Sequence, residues 1–176
     1  MTVFKTTTFD IELREILALQ QQNLPKNLTE QEKQTQGFVT VKHDFSILKK
    51  MHEVHPHIIA VSDNSVIGYA LSMSKSFKEE VPVLIPMFRE LEKLSLDPNF
   101  ILMGQVCIDK EYRGKGIFRG LYAKMKEVFT GKYSSIITEI DALNTRSVQA
   151  HTAIGFTEVY EYESGNQLWK IVRLEV

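Results

Sequence analysis

The nine residues FILMGQVCI, at positions 100–108, constrain most strongly what this chain can fold into. They are apolar almost throughout and barely alternate, so the strand they form offers neither face to water. Such a strand needs covering elements on both sides. Directly after it, Gly114 and Gly116 stand among Arg113, Lys115 and Arg119, and Ile117, Leu121, Met125 and Val128 then recur at helical spacing. Strand, basic glycine turn and amphipathic helix make the first part of a crossover, and the apolar run SSIITEI supplies its second strand. The second half of the chain is therefore α/β.

The rest of the chain is consistent with that class. TVFKTTT alternates and is rich in β-branched residues, which predicts a first strand. Ile11, Leu13, Ile16, Leu17 and Leu19 follow at helical spacing behind Asp10 as N-cap, and Pro25 stops this helix. A polar stretch, TEQEKQTQGFVT, leads to a short helix near FSILKKMHEV. HIIAVSDNSVIGYALSM reads as two strands turning at Asp63-Asn64-Ser65, and another helix starts at Pro86. After SSIITEI, Asn144 caps a helix reaching about Ala153, with Gly155 at its reversal. FTEVYEYE and QLWKIVRLEV close as a hairpin around Ser164-Gly165-Asn166. The predicted order is β-α-α-β-β-(α)-β-α-β-α-β-β, without repeat or linker, and hence one domain, 1–176.

Composition narrows the function classes. With 176 residues, 43% of them apolar, the chain can bury a core without staples. A formal net charge of −1 argues against a dedicated nucleic-acid binder. The one cysteine, Cys107, excludes an intrachain disulfide and points to a reducing, cytoplasmic setting. No apolar run is long enough to span a bilayer, and MTVFKTTTFDIELREI lacks the apolar core of a signal peptide, so no membrane partner is expected.

A basic glycine turn between a strand end and a helix start has a definite chemical use. The first amides of a helix lack intrahelical partners and sit at the positive end of its dipole. Glycines let a phosphate approach that backbone without meeting Cβ atoms. RGKGIF thus fits a pyrophosphate; it equally fits a plain turn whose basic residues are solvated. The chain has no GxxxxGK[ST] loop, and its GxG lacks the third glycine and acidic partner of a dinucleotide site.

Two stretches taken together decide between those uses. VCIDKEYRGKGIFRGLYAKM resembles the acetyl-CoA-binding motif of the GNAT N-acetyltransferase superfamily. NTRSVQAHTAIGF resembles that family's next motif, with Asn144, Ser147, Gly155 and Phe156 in the corresponding places. The resemblance implies a GNAT-like α/β fold: a mixed, splayed central sheet of about seven strands flanked by helices. It implies that acetyl-CoA is the co-substrate, with its pyrophosphate held by Arg113, Gly114, Lys115, Gly116, Ile117 and Phe118, mainly through their backbone amides. The strand backbone at Val106, Cys107 and Ile108 would pair with the pantetheine arm, and Asn144 would bond that arm from the far side. The resemblance further implies direct attack by an amine in a ternary complex, without an acyl-enzyme. Phe118 stands where the family often has glycine, and His151 where it usually has tyrosine.

Acetyl transfer needs a neutral amine and expels a thiolate that benefits from a proton. His151, with an ordinary pKa near ~6.5, is the candidate acid, or a hydrogen-bonding partner of the sulfur; the alternative is a histidine packed on its helix face. Residues 100–108 hold no carboxylate, which leaves Glu139 on the next strand, or Gln105 and carbonyls ordering water, as candidate base. Cys107 reads as a small core filler rather than a nucleophile. His43, His52, His55 and His57 read as surface residues, and no metal site is expected. Phe38, Phe77, Phe88 and the Glu79–Glu80 pair are candidates for an acceptor pocket, although MFRELEKL reads first as a packing or dimerising helix. The expected acceptor is a small-molecule amine; a protein amine, or a CoA-binding sensor without turnover, are the alternatives.

Overall fold

The run FILMGQVCI is the fourth of seven strands and lies at the centre of the sheet. The computed structural model describes residues 1–176, apart from the side chain of Gln34. The strands are β1 (Val3–Thr6), β2 (Ile58–Ser62), β3 (Ser65–Met73), β4 (Phe100–Ile108), β5 (Ser135–Asp141), β6 (Thr157–Ser164) and β7 (Gln167–Glu175). Among the described residues they form one sheet in the order β1-β2-β3-β4-β5-β7-β6, and only β4 and β5 run parallel. The helices are α1 (Asp10–Gln22), α2 (Glu30–Gln36), α3 (Phe45–Val54), α4 (Ile85–Lys93), α5 (Ile117–Phe129) and α6 (Thr145–Ala153). None is long and apolar enough to cross a membrane.

The weak alternation of β4 has the predicted consequence. Phe100, Leu102 and Cys107 pack into a core shared with α1, α3 and α4, whereas Ile101 and Met103 pack on the opposite face against α5. Two core residues of the same parity, Phe100 and Leu102, share a face with odd-numbered Cys107 because β4 carries an extra residue. Between Ala70↔Val106 and Ser72↔Met103, two steps along β3 oppose three along β4. This bulge restores the pairing and turns Gln105 toward the α1 side.

Several local expectations change. Helix α2 lies within the stretch read as merely polar; its signature is the capping box Thr29-x-x-Glu32, in which each residue bonds the other's backbone amide. Asp10 is the first residue of α1, not its N-cap. Glu12 reaches back instead, its carboxylate accepting the amides of Thr8 and Phe9 at 2.6 and 3.0 Å. Asp10 pairs with Lys49 at 2.7 Å. The histidines read as surface residues divide: His43 and His57 are buried, at 4% and 0% exposure. Burial holds His57 down to about 3 and His43 to about 4, so both are neutral at ordinary pH. Nothing in VKHDF or VHPHI marks these two, because His43 is covered through Gln20 of α1 and His57 through Leu48 of α3 and Ser72 of β3.

Helix α4 is a packing element. Met87, Phe88 and Leu91 are buried in the core, each contributing roughly 1.5–3 kcal/mol. Phe77 joins them, and Glu80 pairs with Lys50 at the surface, so neither lines the two cavities described below.

Candidate active site

The parallel pair β4–β5 sets the geometry. The two strands are in register only at Phe100↔Ser135, Ile101↔Ile136 and Leu102↔Ile137, and beyond these residues they diverge. On its other side β4 stays bonded to β3 as far as Ile108. Residues 103–108 therefore present a backbone edge toward β5 that carries no strand pairing among the described residues. A cleft of about 310 Å³ opens along that edge, lined by Val106, Cys107 and Ile108.

The loop after β4 forms one end of the cleft. Gly116 is the N-cap of α5 with φ +80°, Gly114 has φ +71°, and no side chain caps the helix. A Cβ added at either glycine would meet nothing within 4 Å, so the space before these amides is open. Gly120 is the first residue to close an intrahelical bond, back to the Gly116 carbonyl. The amides of Ile117, Phe118 and Arg119 precede it and are left free for an anion. Gly114, Gly116, Ile117 and Phe118 all line the cleft, as do Arg119 and Arg146. Arg113 borders it too, but its guanidinium is bonded to the Ile108 carbonyl, Asn23 and Gln36 rather than offered to a ligand. Lys115 does not; its ammonium lies 5.1 Å from the centre of the Tyr112 ring. These donors and this space fit a pyrophosphate joined to a narrow arm.

Across the cleft stands α6, capped by Asn144, whose Oδ1 accepts the Ser147 amide at 3.2 Å. Asn144, Ser147 and Ala150, three residues apart, bring one face of α6 to the cleft. Arg146 was not singled out from the sequence. Its place in the first turn after a cap that faces the same ligand was the available signal.

A second, smaller cavity of about 70 Å³ lies where β4 and β5 part. Phe38, Val39, Val106, Asn144 and Ser147 border both spaces. The smaller one is lined by Glu139 and Asp141, two positions apart on β5, together with Gln105, Thr138, His151 and Trp169. Burial pushes the Glu139 carboxyl up to about 7, opposed by a hydrogen bond that its Oε2 accepts from the Tyr162 hydroxyl. Asp141 accepts the Leu143 amide at 2.9 Å and the Gln167 side chain at 3.0 Å.

His151 also borders this cavity, but both its ring nitrogens are engaged. Nδ1 donates to the Ser147 carbonyl at 2.8 Å, which leaves Nε2 to accept from the Tyr122 hydroxyl at 2.7 Å. Phe118, Tyr122 and Phe156 all meet the ring edge-on, and burial holds it down to about 4. The near-neutral pKa expected from the sequence is therefore not met, because an imidazolium here would lose its water without gaining an anion. Gln105 is equally committed: its Oε1 accepts from Tyr69 and Gln20, and its Nε2 donates to the Val41 carbonyl. Burial raises the Cys107 thiol to about 12, which leaves it protonated and inert.

Residues 13–156 match the Acetyltransferase (GNAT) family. The chain belongs to that family. By sequence, no curated protein matches it. Among solved structures, this GNAT acetyltransferase is similar in fold to the ribosomal-protein-S18-alanine N-acetyltransferase from Escherichia coli. That match has 11% identity and a TM-score of 0.66, covering 99% of this chain and 94% of the other. The ribosomal-protein-alanine N-acetyltransferase from Brucella melitensis matches at 18% identity and TM-score 0.65, over 99% of each chain. A Salmonella typhimurium protein solved with its cofactor acetyl-CoA matches at 13% identity and TM-score 0.65, over 99% of this chain and 93% of its own. As a GNAT acetyltransferase, the protein is an acetyl-CoA-dependent acyltransferase with a mixed seven-stranded sheet.

Proposed function

We propose that the protein transfers an acetyl group from acetyl-CoA to a primary amine of a small molecule, by direct attack in a ternary complex. The amides of residues 114–119 hold the pyrophosphate, aided by Arg119 and Arg146. The free edge of β4 at Val106, Cys107 and Ile108, with Asn144 opposite, guides the pantetheine arm. When bound, acetyl-CoA supplies the thioester carbonyl that the amine attacks.

Glu139 is the proposed general base, and its raised pKa in the cavity adjoining the cofactor cleft is the observation that carries this assignment. A carboxylate near 7 is partly ionised at neutral pH and accepts a proton more readily than an ordinary one. Tyr162 fixes one oxygen of that carboxylate and leaves the other for the amine. Asp141, in the same cavity, favours a cationic acceptor as it arrives. His151, neutral and bonded at both nitrogens, is proposed to position Tyr122 and the α6 face rather than to give up a proton.

Thiol release from acetyl-CoA across a panel of small amines and short peptides tests the reading. Turnover with small amines, lost in Glu139→Gln while CoA still binds, is the expected result. Turnover with peptides alone would move the acceptor to proteins, the class on which the ribosomal-protein enzymes of similar fold act. Tight CoA binding without turnover on any amine would leave a binding module.

A further inference from the structure

Arg113 leads the glycine turn, and its cation would be expected to face phosphate. Its guanidinium is instead engaged by protein. Nε donates to the Ile108 carbonyl at 3.1 Å, Nη2 to Asn23 Oδ1 at 2.5 Å, and Nη1 to Gln36 Oε1 at 2.7 Å. Nη1 also lies 3.5 Å from the Gln36 carbonyl. Of five N–H groups, at most two remain for any other partner. All the acceptors are uncharged, so nothing in this clasp neutralises Arg113. Its geometry is committed, although its charge still reaches the cleft.

The clasp holds one end of residues 36–39, which cross between the two arms of the splayed sheet. On the near arm, Asn23 both accepts from Arg113 and, through its carbonyl, takes the Val39 amide at 3.2 Å. On the far arm, Asn144 Nδ2 donates to the Phe38 carbonyl at 3.3 Å. Gly37 approaches so closely that a Cβ there would lie 3.0 Å from Asn144 Oδ1. Phe38 and Val39, at the middle of this span, are shared by the cofactor cleft and the acceptor cavity.

We propose that Arg113 is a positioning residue for acyl transfer: its guanidinium fixes residues 36–39 across the cleft so that Phe38 and Val39 shield the reacting thioester from water. This rests on the acetyltransferase reading given above. When the span loosens, water takes the place of the amine. Its oxygen bonds to the carbonyl carbon, the carbon–sulfur bond breaks, and the proton released accompanies the thiolate, giving acetate and free CoA thiol. A planar fork that bridges three partners has no substitute in lysine, which keeps the charge and loses the clasp.

The test compares Arg113→Lys and Gln36→Ala with the wild type in three measurements. Both variants should raise amide exchange at residues 36–40 at least tenfold on the protein alone, while the amides of β2 keep wild-type protection and thereby establish that the sheet is intact. Both should raise thiol release from acetyl-CoA without amine at least threefold, a gain that a merely damaged fold would not give. Calorimetry should find CoA affinity within threefold of wild type in each. The double variant should exchange no faster than Arg113→Lys alone, because the Gln36 side-chain contact is one of those the arginine substitution already breaks. Unchanged exchange at 36–40, or a tenfold loss of CoA affinity in Arg113→Lys, overturns the proposal, the latter by returning the side chain to the phosphate. If wild type itself fails to bind CoA, the acetyltransferase reading falls, and the exchange measurement still decides whether Arg113 fixes the span.

Discussion

The two cavities share five lining residues and differ in nearly every other respect. The cofactor cleft is large, flanked by three arginines and bordered by no Asp or Glu. The acceptor cavity is less than a quarter of its size, with Glu139 and Asp141 in its wall and no Lys or Arg. On the proposed function the first would grip an anion with backbone amides, whose partial charges need no tuning and survive substitution of most side chains. The second, as proposed, would depend on a single titratable group, Glu139, whose usefulness would come from being buried. The lesson is one of fragility: grip spread over many amides is robust, and proton transfer resting on one carboxyl is not.

Four experiments press on that contrast. Glu139→Gln should have the largest effect, lowering kcat by about 10²–10⁴-fold with CoA affinity unchanged by calorimetry. An equal loss of affinity would erase the distinction between the two cavities. Next, Gly116→Glu should weaken CoA binding by about tenfold or more, or ~1.4 kcal/mol, while leaving the circular dichroism of the fold intact. It places a carboxylate, with a side chain disfavoured at φ +80°, where the phosphate belongs.

The third test is pH. With Glu139 near 7, kcat should rise as pH increases through about 7 and then level off, and Glu139→Gln should remove that rise. The same shift has an energetic consequence. The folded carboxyl binds its proton more tightly than the unfolded chain does, so its contribution to stability falls as pH rises from about 4.5 through about 7, by roughly 3 kcal/mol. The buried histidines act in the opposite direction. His43, His57 and His151 have folded values below 6.5, so the unfolded chain binds protons first, and stability is lost as pH falls from about 6.5 toward 4. Over the shared window three histidines outweigh one carboxyl, so denaturant melts should show stability rising with pH from about 4 toward about 7, and more steeply in Glu139→Gln. If these histidines are solvated, stability should instead fall as pH rises from about 4.5 to about 7.

The smallest effect belongs to His151→Phe, which keeps the aromatic packing and strands the buried Tyr122 hydroxyl. A stability loss of about 1–3 kcal/mol, with turnover reduced less than tenfold, is expected. Tyr122→Phe added to that variant should cost little more, since the orphaned hydroxyl is then gone. A hundredfold loss of turnover without loss of stability would instead make His151 a proton donor.

Much of the fold was legible because the signals are local. FILMGQVCI coincides with β4, and Asn144 caps α6 as its place before TRSVQAHTA indicates. Asp63 and Asn64, both with positive φ, make the hairpin turn read from their types. Helix α2 was missed although Thr29 and Glu32 announced it, because its residues are polar all round and carry no apolar period. The glycine turn was readable as a candidate seat for phosphate, but the commitment of Arg113 to Asn23 and Gln36 was not. Its partners lie 90 and 77 residues away, and no pattern within the turn refers to them.

The sequence by itself therefore determined the elements apart from α2, their order, the turn that begins α5 and, through two motifs, the family to which the chain belongs. The elements and the turn follow from side-chain periods of 2 and 3.6 and from φ preferences, which neighbouring residues impose on one another. Only the tertiary structure decided which titratable groups carry charge and which polar side chains remain free. Glu139 and His151 are ordinary residues in the sequence. Burial moves one up to about 7 and the other down to about 4 because loss of water penalises whichever form is charged, and the depth of that burial is set by strands and helices far along the chain.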